Sequence, residues 1–431
     1  MEWTNKTIGD IAFVTKLAGF EHTKYIQGNC IHERKDDSFI PLFIGKTVRD
    51  GRIDKNFDWY IPKSIADQLP RSFLKRKCLV LPYVGTIGDL AVFDASYDAL
   101  LGSNIAKIEL NPNCGYSEEF IYYYLKSPRG QTVLLKDEQG GIQKNITMEA
   151  IRNVLLPDVD EDNQKKIVSV LSALDDKIAL NKKMNQKLEA MAKRLYDYWF
   201  VQYDFPDKNG LPYKTTGGPM TYNPTLKREI PAGWEVKNVN DVTTSVRGVS
   251  YSSDDEKSKT DSNVVQILRG NNISGSRFVF DSNDVFVSSD LVAEEQKISK
   301  FDIVMTMSSG SKEHVGKSAL ALYDMPHSFG AFCSKFTPNE EARYFIDCYL
   351  HSEIFIKYIR QTCSGTGINN LTNGHFDKSL FAWPTEDILK AFNEKVSAIY
   401  EQRGVIEREI TRLTALRDKL LTLLMNGQVV V

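Results

Sequence analysis

Two stretches of this chain carry one apolar spacing, and every position in the second lies 225 residues after its counterpart in the first. Ile167, Leu171, Leu174, Ile178, Asn181, Asn185, Leu188, Ala192, Leu195 and Trp199 fall alternately four and three apart. Phe392, Val396, Ile399, Arg403, Ile406, Ile410, Leu413, Arg417, Leu420 and Leu424 do the same. A strict four-three alternation is the a/d seam of a helix that needs a partner helix. Each seam supplies the other, so the chain is read as a tandem repeat whose halves each end in a long helix. Reversing one series matches Ile167 with Leu424, Leu174 with Arg417, Ile178 with Leu413 and Asn181 with Ile410. Pro157 and Pro384 place a globular domain at the start of each helix. The helices are therefore expected to pack antiparallel, with Asn181 and Asn185 fixing register at some cost in stability.

The globular halves repeat as well. Trp3 to Ile11 returns in register at Trp234 to Val242, and Ile40 to Ile53 returns at Val265 to Phe278, with Gly45 over Gly270 and Arg52 over Arg277. Cys78 to Phe93 and Ile303 to Tyr323 are further strand pairs around glycine turns, aligned at Ile87-Gly88 and Val315-Gly316. Tyr116 to Lys126 and Tyr344 to Tyr358 carry apolar residues at helical spacing. The fold class is therefore α+β: two tandem mixed domains and two long antiparallel helices in a pseudo-two-fold repeat. The expected boundaries are 1–157 for the first domain, 158–203 for its helix, 204–233 for a linker, 234–384 for the second domain and 385–427 for the last helix. The linker reading rests on Pro, Gly, Tyr, Thr and Asn without apolar period.

Composition excludes several classes. At 42% hydrophobic and 26% charged the chain is that of an ordinary globular protein. No run approaches 18 apolar residues, and MEWTNKTIGDIAF lacks the basic and apolar regions of a signal peptide, so a cytoplasmic protein without membrane contact is expected. Six cysteines show no ligand spacing, which argues for reduced thiols and no metal. Ser311 to Ser318 nearly spells a phosphate loop, but Gly310 stands one residue too far from Gly316. Asp255-Glu256-Lys257 lies in a polar run better suited to an exposed loop. No cofactor glycine loop, Asn/Asp-Pro-Pro-aromatic word or H-E-x-x-H is present, so no catalytic residue and no cofactor are assigned.

Between the halves stand Phe205-Pro206, Pro212-Tyr213-Lys214, Gly217-Gly218, Tyr222-Asn223 and Ile230-Pro-Ala-Gly-Trp234, and the first helix opens on Glu161-Asp162-Asn163-Gln164. With the two domain-helix repeats, these words resemble the specificity subunits of type I restriction-modification systems, over essentially the whole chain. The second helix opens on Thr385-Glu386-Asp387-Ile388 and lacks the Gln. The resemblance implies two target recognition domains and a non-catalytic role. It further implies that each repeat docks one methyltransferase subunit, that methyl donor and ATP sit on partner subunits, and that restriction/translocase subunits join them.

The physics agrees with such a role. Two equivalent domains on a stiff spacer are able to read two short elements of double-stranded DNA separated by an unread gap. About 33 helical residues span roughly 50 Å, one or two turns of the duplex. The net charge of −2 means that local charge must carry the binding. Arg34 to Lys77 holds eleven Lys/Arg against six Asp, and includes Lys46, Arg49 and Arg52. Thr86 and the run Gln143-Lys144-Asn145 sit on glycine turns suited to bidentate contact with bases. In the second domain Arg269, Asn271, Asn272, Ser309, Lys312, His314, Asn369, Asn370 and Asn373 hold the matching places. An ordinary solvated face, or structural Asn in turns, is the competing account of these residues. A scaffold protein without DNA readout is the competing function, and it would need apolar rather than polar loop tips.

Overall fold

The computed structural model describes residues 3–49, 51–85, 87–136, 145–280, 284–311, 313–362 and 369–429, with backbone alone at 3–5 and 369. The chain divides into two units, Met1–Ala179 with Thr411–Val431, and Leu180–Ile410. Each unit takes part of both long helices, whose bounds are Glu161–Tyr196 and Glu386–Met425.

In the first unit, Cys78–Pro82 is a central strand between Ile105–Leu110 and Ala91–Phe93, and Ala12–Lys16 closes the sheet beyond Ile105–Leu110, all antiparallel. Successive side chains of a strand face opposite ways. Leu79 and Leu81 accordingly join the core that holds Ile167 and Leu171, while Cys78 and Val80 join another with Phe43 and Phe93. Burial on both faces explains why this strand reads as an unbroken apolar run. A second sheet has the order Tyr60–Pro62, Phe39–Phe43, Ala99–Leu101, Phe73–Leu74, with the middle pair parallel.

The second unit repeats this plan. One sheet runs Thr243–Arg247, Cys333–Pro338, Ile303–Thr306, Ser318–Leu320. The other runs Glu256–Lys257, Val285–Ser288, Val264–Leu268, His327–Phe329, again with one parallel pair. The predicted correspondence of Gly45 with Gly270 is visible as two 3₁₀ turns, Gly45–Thr47 and Gly270–Asn272, each leading into a two-residue hairpin.

Within each unit the long helices run antiparallel. In the first, Ile167 and Leu171 share a core with Leu421, Leu424 and Met425, while Asp175 further along bonds Arg417 at 2.9 Å. In the second, Asn185 meets Arg403 and Glu407, whereas Tyr196 and Trp199 meet Phe392. Arg417 bonds the residue next to Leu174, its expected match, so the register read from sequence holds to within one position. The buried face is wider than a coiled-coil seam. Leu174, Leu188, Leu195, Ile399, Ile410, Leu413 and Leu420 are half-buried, and Tyr196, Phe200, Tyr400 and Leu421, outside the four-three series, are buried. Each helix packs against its unit's domain as well as its partner, and a second contact line demands the broader stripe.

Two sequence features acquire physical accounts. Gln164 is 2% exposed and ties the helix start to the loop before it: its amide donates to the Gly115 and Val159 carbonyls, and its oxygen accepts from the Ser117 amide. The second helix has buried Leu389 at the position 225 residues on, so apolar packing replaces that clasp. The segment expected to be a linker is instead folded onto the second unit. Phe205 stacks on Tyr213 and Trp234 at 4.5 and 5.3 Å, Asp204 accepts from the Thr215 amide, and Met220–Asn223 pairs with Arg228–Pro231.

Candidate functional site

Three kinds of local structure converge on one side of the second unit. The first is the 3₁₀ turn at Gly270, held by the Asn272 carboxamide, whose oxygen accepts from the Arg269 amide at 3.0 Å. The second is the end of strand Ile303–Thr306, where Ser308–Ser309 pairs with Asn369–Asn370. The third is the turn Gly330 to Phe332, whose last carbonyl accepts from the Met307 and Ser308 amides at 2.8 and 3.2 Å. With Val249 to Tyr251 they enclose a cleft of about 550 Å³ lined by Arg269, Asn271, Ser309 and His314 among others.

Several polar side chains stand in the wall and rim of this cleft. Arg269 is half-buried and bonds Tyr251, which fixes a planar cation in the wall. Desolvation raises the Tyr251 pKa, so the phenol stays protonated. Asn271 and His314 are exposed at the rim, and the His314 ring lies 3.1 Å from the Lys317 ammonium. Cation, amide and imidazole side by side are suited to phosphates and to base edges.

Several expected residues lie elsewhere. Asn272 is 1% exposed, and its amide is taken by the Val279 carbonyl and Asp284, so it builds the turn and reads nothing. Asn373 opens the short helix Asn373–Phe376, away from the cleft lining, and bonds Ser245. Asn370 is exposed beside Ser308, and Asn369 lies in the same strand pair. Lys312 lies outside the described residues. Tyr251, Thr306 and Phe332 line the cleft and were not singled out from sequence; Phe332 is 69% exposed on a glycine turn.

The first unit has the corresponding turn at Gly45 and hairpin Val48–Arg49 with Arg52–Ile53. Its 3₁₀ turn is held by the Thr47 hydroxyl, which accepts from the Ile44 amide where Asn272 serves in the repeat. Arg49 is exposed. Lys46 is paired with Asp58 at 2.5 Å, and Arg52 donates to the Asp175 carbonyl of the long helix at 3.4 Å. Much of the basic stretch is neutralised likewise: Arg34 by Asp37, Lys63 by Asp98, Lys75 by Asp67 and Lys77 by Glu119. Asp37, Asp58 and Asp67 are among the six Asp of the stretch itself, while Asp98 and Glu119 lie outside it and lower its local balance further. Asn145 bridges to Val84, while Thr86, Gln143 and Lys144 lie outside the described residues.

The element downstream of the near phosphate loop decides its character. Gly316 leads into the strand Ser318–Leu320, not into a helix, so there is no helix N-terminus to cradle phosphate. Asp255 accepts from the Ser252 amide and hydroxyl as a turn cap. Among the described residues no three His, Cys, Asp or Glu side chains are placed to hold a metal, and no helix is long and apolar enough to cross a membrane. Burial pushes the Cys78 and Cys333 thiols up to about 12, which leaves them inert.

Residues 1–190 match the family described as Type I restriction modification DNA specificity domain. The chain is 36% identical over 176 residues to the StySPI specificity subunit of Salmonella potsdam, a stretch covering 40% of this chain. It thus spans 38% of that relative's length, and the same share of the EcoKI specificity subunit of Escherichia coli K12. Similarity to the MjaIX specificity subunit of Methanocaldococcus jannaschii is lower, 26%, but covers 74% of this chain and 70% of that one. Among solved structures, the type I restriction-modification S subunit from M. genitalium shares the fold, with a TM-score of 0.51 and 16% identity over 98% of this chain and 96% of that one.

Proposed function

We propose that this chain, whose residues 1–190 match the type I restriction modification DNA specificity domain, is the DNA-reading component of such a system, with one half of a split target read by each unit. The observation that carries this reading is the repeated loop cluster. The turn at Gly45 and the turn at Gly270 occupy the same place in two equivalent sheets, and the described tips offer Arg49 on one and Arg269, Asn271 and His314 on the other. Arg matches guanine and phosphate, and Asn matches adenine. The tips are dominated by polar groups, as a reader requires and a protein scaffold does not.

On this reading the chain contributes address and no bond-making step. Double-stranded DNA is the ligand. Two methyltransferase subunits dock on the repeats and carry methyl donor and active site, and restriction/translocase subunits join through them. The long helices set the unread gap, and the assembly works in the cytoplasm, where the DNA is. The test is single-molecule methylation mapping in cells expressing the chain with its methyltransferase. A bipartite motif with an indifferent gap is expected; a continuous motif, or none, defeats the reading.

A further inference from the structure

Phe332 is a large exposed apolar side chain on the cleft that Arg269, Asn271 and His314 also line. Its backbone is pinned, because its carbonyl accepts from the Met307 and Ser308 amides, and the parallel pairing of His327–Phe329 with Val264–Leu268 anchors the strand before it. The ring nevertheless remains 69% exposed, although it borders the same cavity as Arg269, Asn271 and His314. Single exposed aromatics are ordinary on protein surfaces. This one is held outward by a fixed turn beside groups suited to base edges.

The repeat sharpens the point. In the first unit the same turn runs from Gly102 to Asn104, and the Asn104 carbonyl accepts from the Tyr83 amide as Phe332 does from Met307. Asn104 is also exposed. The equivalent positions thus present an amide in one unit, on a backbone with φ +63, and a phenyl ring in the other. An amide reads hydrogen-bonding edges, whereas a ring among polar readers fits the one apolar feature of the major groove, the thymine C5 methyl.

We propose that Phe332 contacts the C5 methyl of a thymine in the half-site read by the second unit. This rests on the DNA-reading role argued above, and the experiment separates the two. The full chain, assembled with its methyltransferase subunits, is titrated with synthetic duplexes carrying the mapped motif. Deoxyuridine, which lacks the methyl, replaces each thymine of the second half-site in turn. At one position the native assembly should lose about fourfold in affinity, the value of one buried methyl group. Phe332→Ala should bind the thymine duplex more weakly and be indifferent to uracil there, while Phe332→Leu should keep part of the discrimination. A second half-site without thymine, a native assembly indifferent to every replacement, or a Phe332→Ala assembly as sensitive as the native one would each overturn the proposal, even with a bipartite motif established. Absence of any bipartite motif would instead fall on the DNA-reading role. Thermal melting of Phe332→Ala, expected to match the native chain because the ring is exposed, shows that the variant is folded.

Discussion

The second unit should lose stability as pH rises from about 6.5 to about 9, and Asp347→Asn should abolish that dependence. Both ring nitrogens of His351 face carbonyl oxygens, Nδ1 at 2.8 Å from Asp347 and Nε2 at 3.1 Å from Ser318. Only the doubly protonated ring donates to both. Burial opposes its charge, but the hydrogen bond and charge of Asp347 prevail and hold the pKa at about 9. Burial likewise opposes ionisation of Asp347, yet His351, Arg403 and the Tyr400 hydroxyl at 2.7 Å hold its carboxyl below the usual value. A group whose pKa is raised on folding stabilises fully below its unfolded pKa and ceases to do so as pH climbs through the folded one. From 6.5 to about 9 the stabilisation lost is about 3 kcal/mol. That corresponds to about 6 to 12 °C of melting temperature for a unit of this size. Trp199, Trp234 and Trp383 lie in this unit's core, so their fluorescence follows its melting. Asp347→Asn leaves Arg403, 1% exposed, without its nearest carboxylate and returns His351 to neutrality. The variant should melt lower at pH 6.5, by about 3 kcal/mol, and show little further change at pH 9. Parallel pH profiles for the two proteins would refute the reasoning.

In the first unit Asp175 accepts from Tyr123 at 3.0 Å and pairs with Arg417 at 2.9 Å; Asp175→Ala should cost about 2 to 3 kcal/mol, read as faster amide exchange in Glu118–Lys126 and no change in the second unit. Gly51 has φ +74 and its added Cβ would collide with the Tyr122 hydroxyl, so Gly51→Ala should destabilise the first unit by about 2 kcal/mol in urea unfolding. Pairing it with Tyr122→Phe should recover only part, since the backbone strain remains. If Arg49 contacts phosphate, Arg49→Ala should weaken binding to all duplexes alike and reduce the salt slope by about 1; a change of sequence preference at one base would make it a base reader.

The helices were legible because a buried seam leaves a periodic record, and the 225-residue offset let each half check the other. Local strand and turn assignments gained in the same way, since Gly45 and Gly270 had to serve one purpose. Orientation within a turn leaves no such record. Asn271 and Asn272 are adjacent and chemically identical, yet one is exposed and the other is consumed by Val279 and Asp284. Arg52 looked like a reader but faces the long helix, a contact between residues 123 apart. The segment after Tyr203 reads as a linker because its packing comes from three scattered rings, Phe205, Tyr213 and Trp234, with no period among them.

Duplication followed by exchange of chemistry at matching positions explains why the two units are not interchangeable. Asp175 and Tyr400 stand 225 residues apart, at the same place on the two long helices. In the first unit Tyr123 of a short domain helix donates to Asp175; in the second, Tyr400 of the long helix donates to Asp347 of the corresponding short helix. Donor and acceptor have traded elements while the bond survives. A second-unit domain placed on the first helix would bring Cys348 to the place of Tyr123 and leave Asp175 without its phenol donor. A first-unit domain on the second helix would set Tyr123 against Tyr400 and leave Arg403 without Asp347. Each domain therefore fits its own helix and is penalised on the other. A substitution of chemistry at equivalent positions recurs at Asn104 and Phe332, where the outcome faces solvent. Inward exchanges of this kind fix which domain belongs where, and outward ones give two copies of one scaffold different surfaces with which to read.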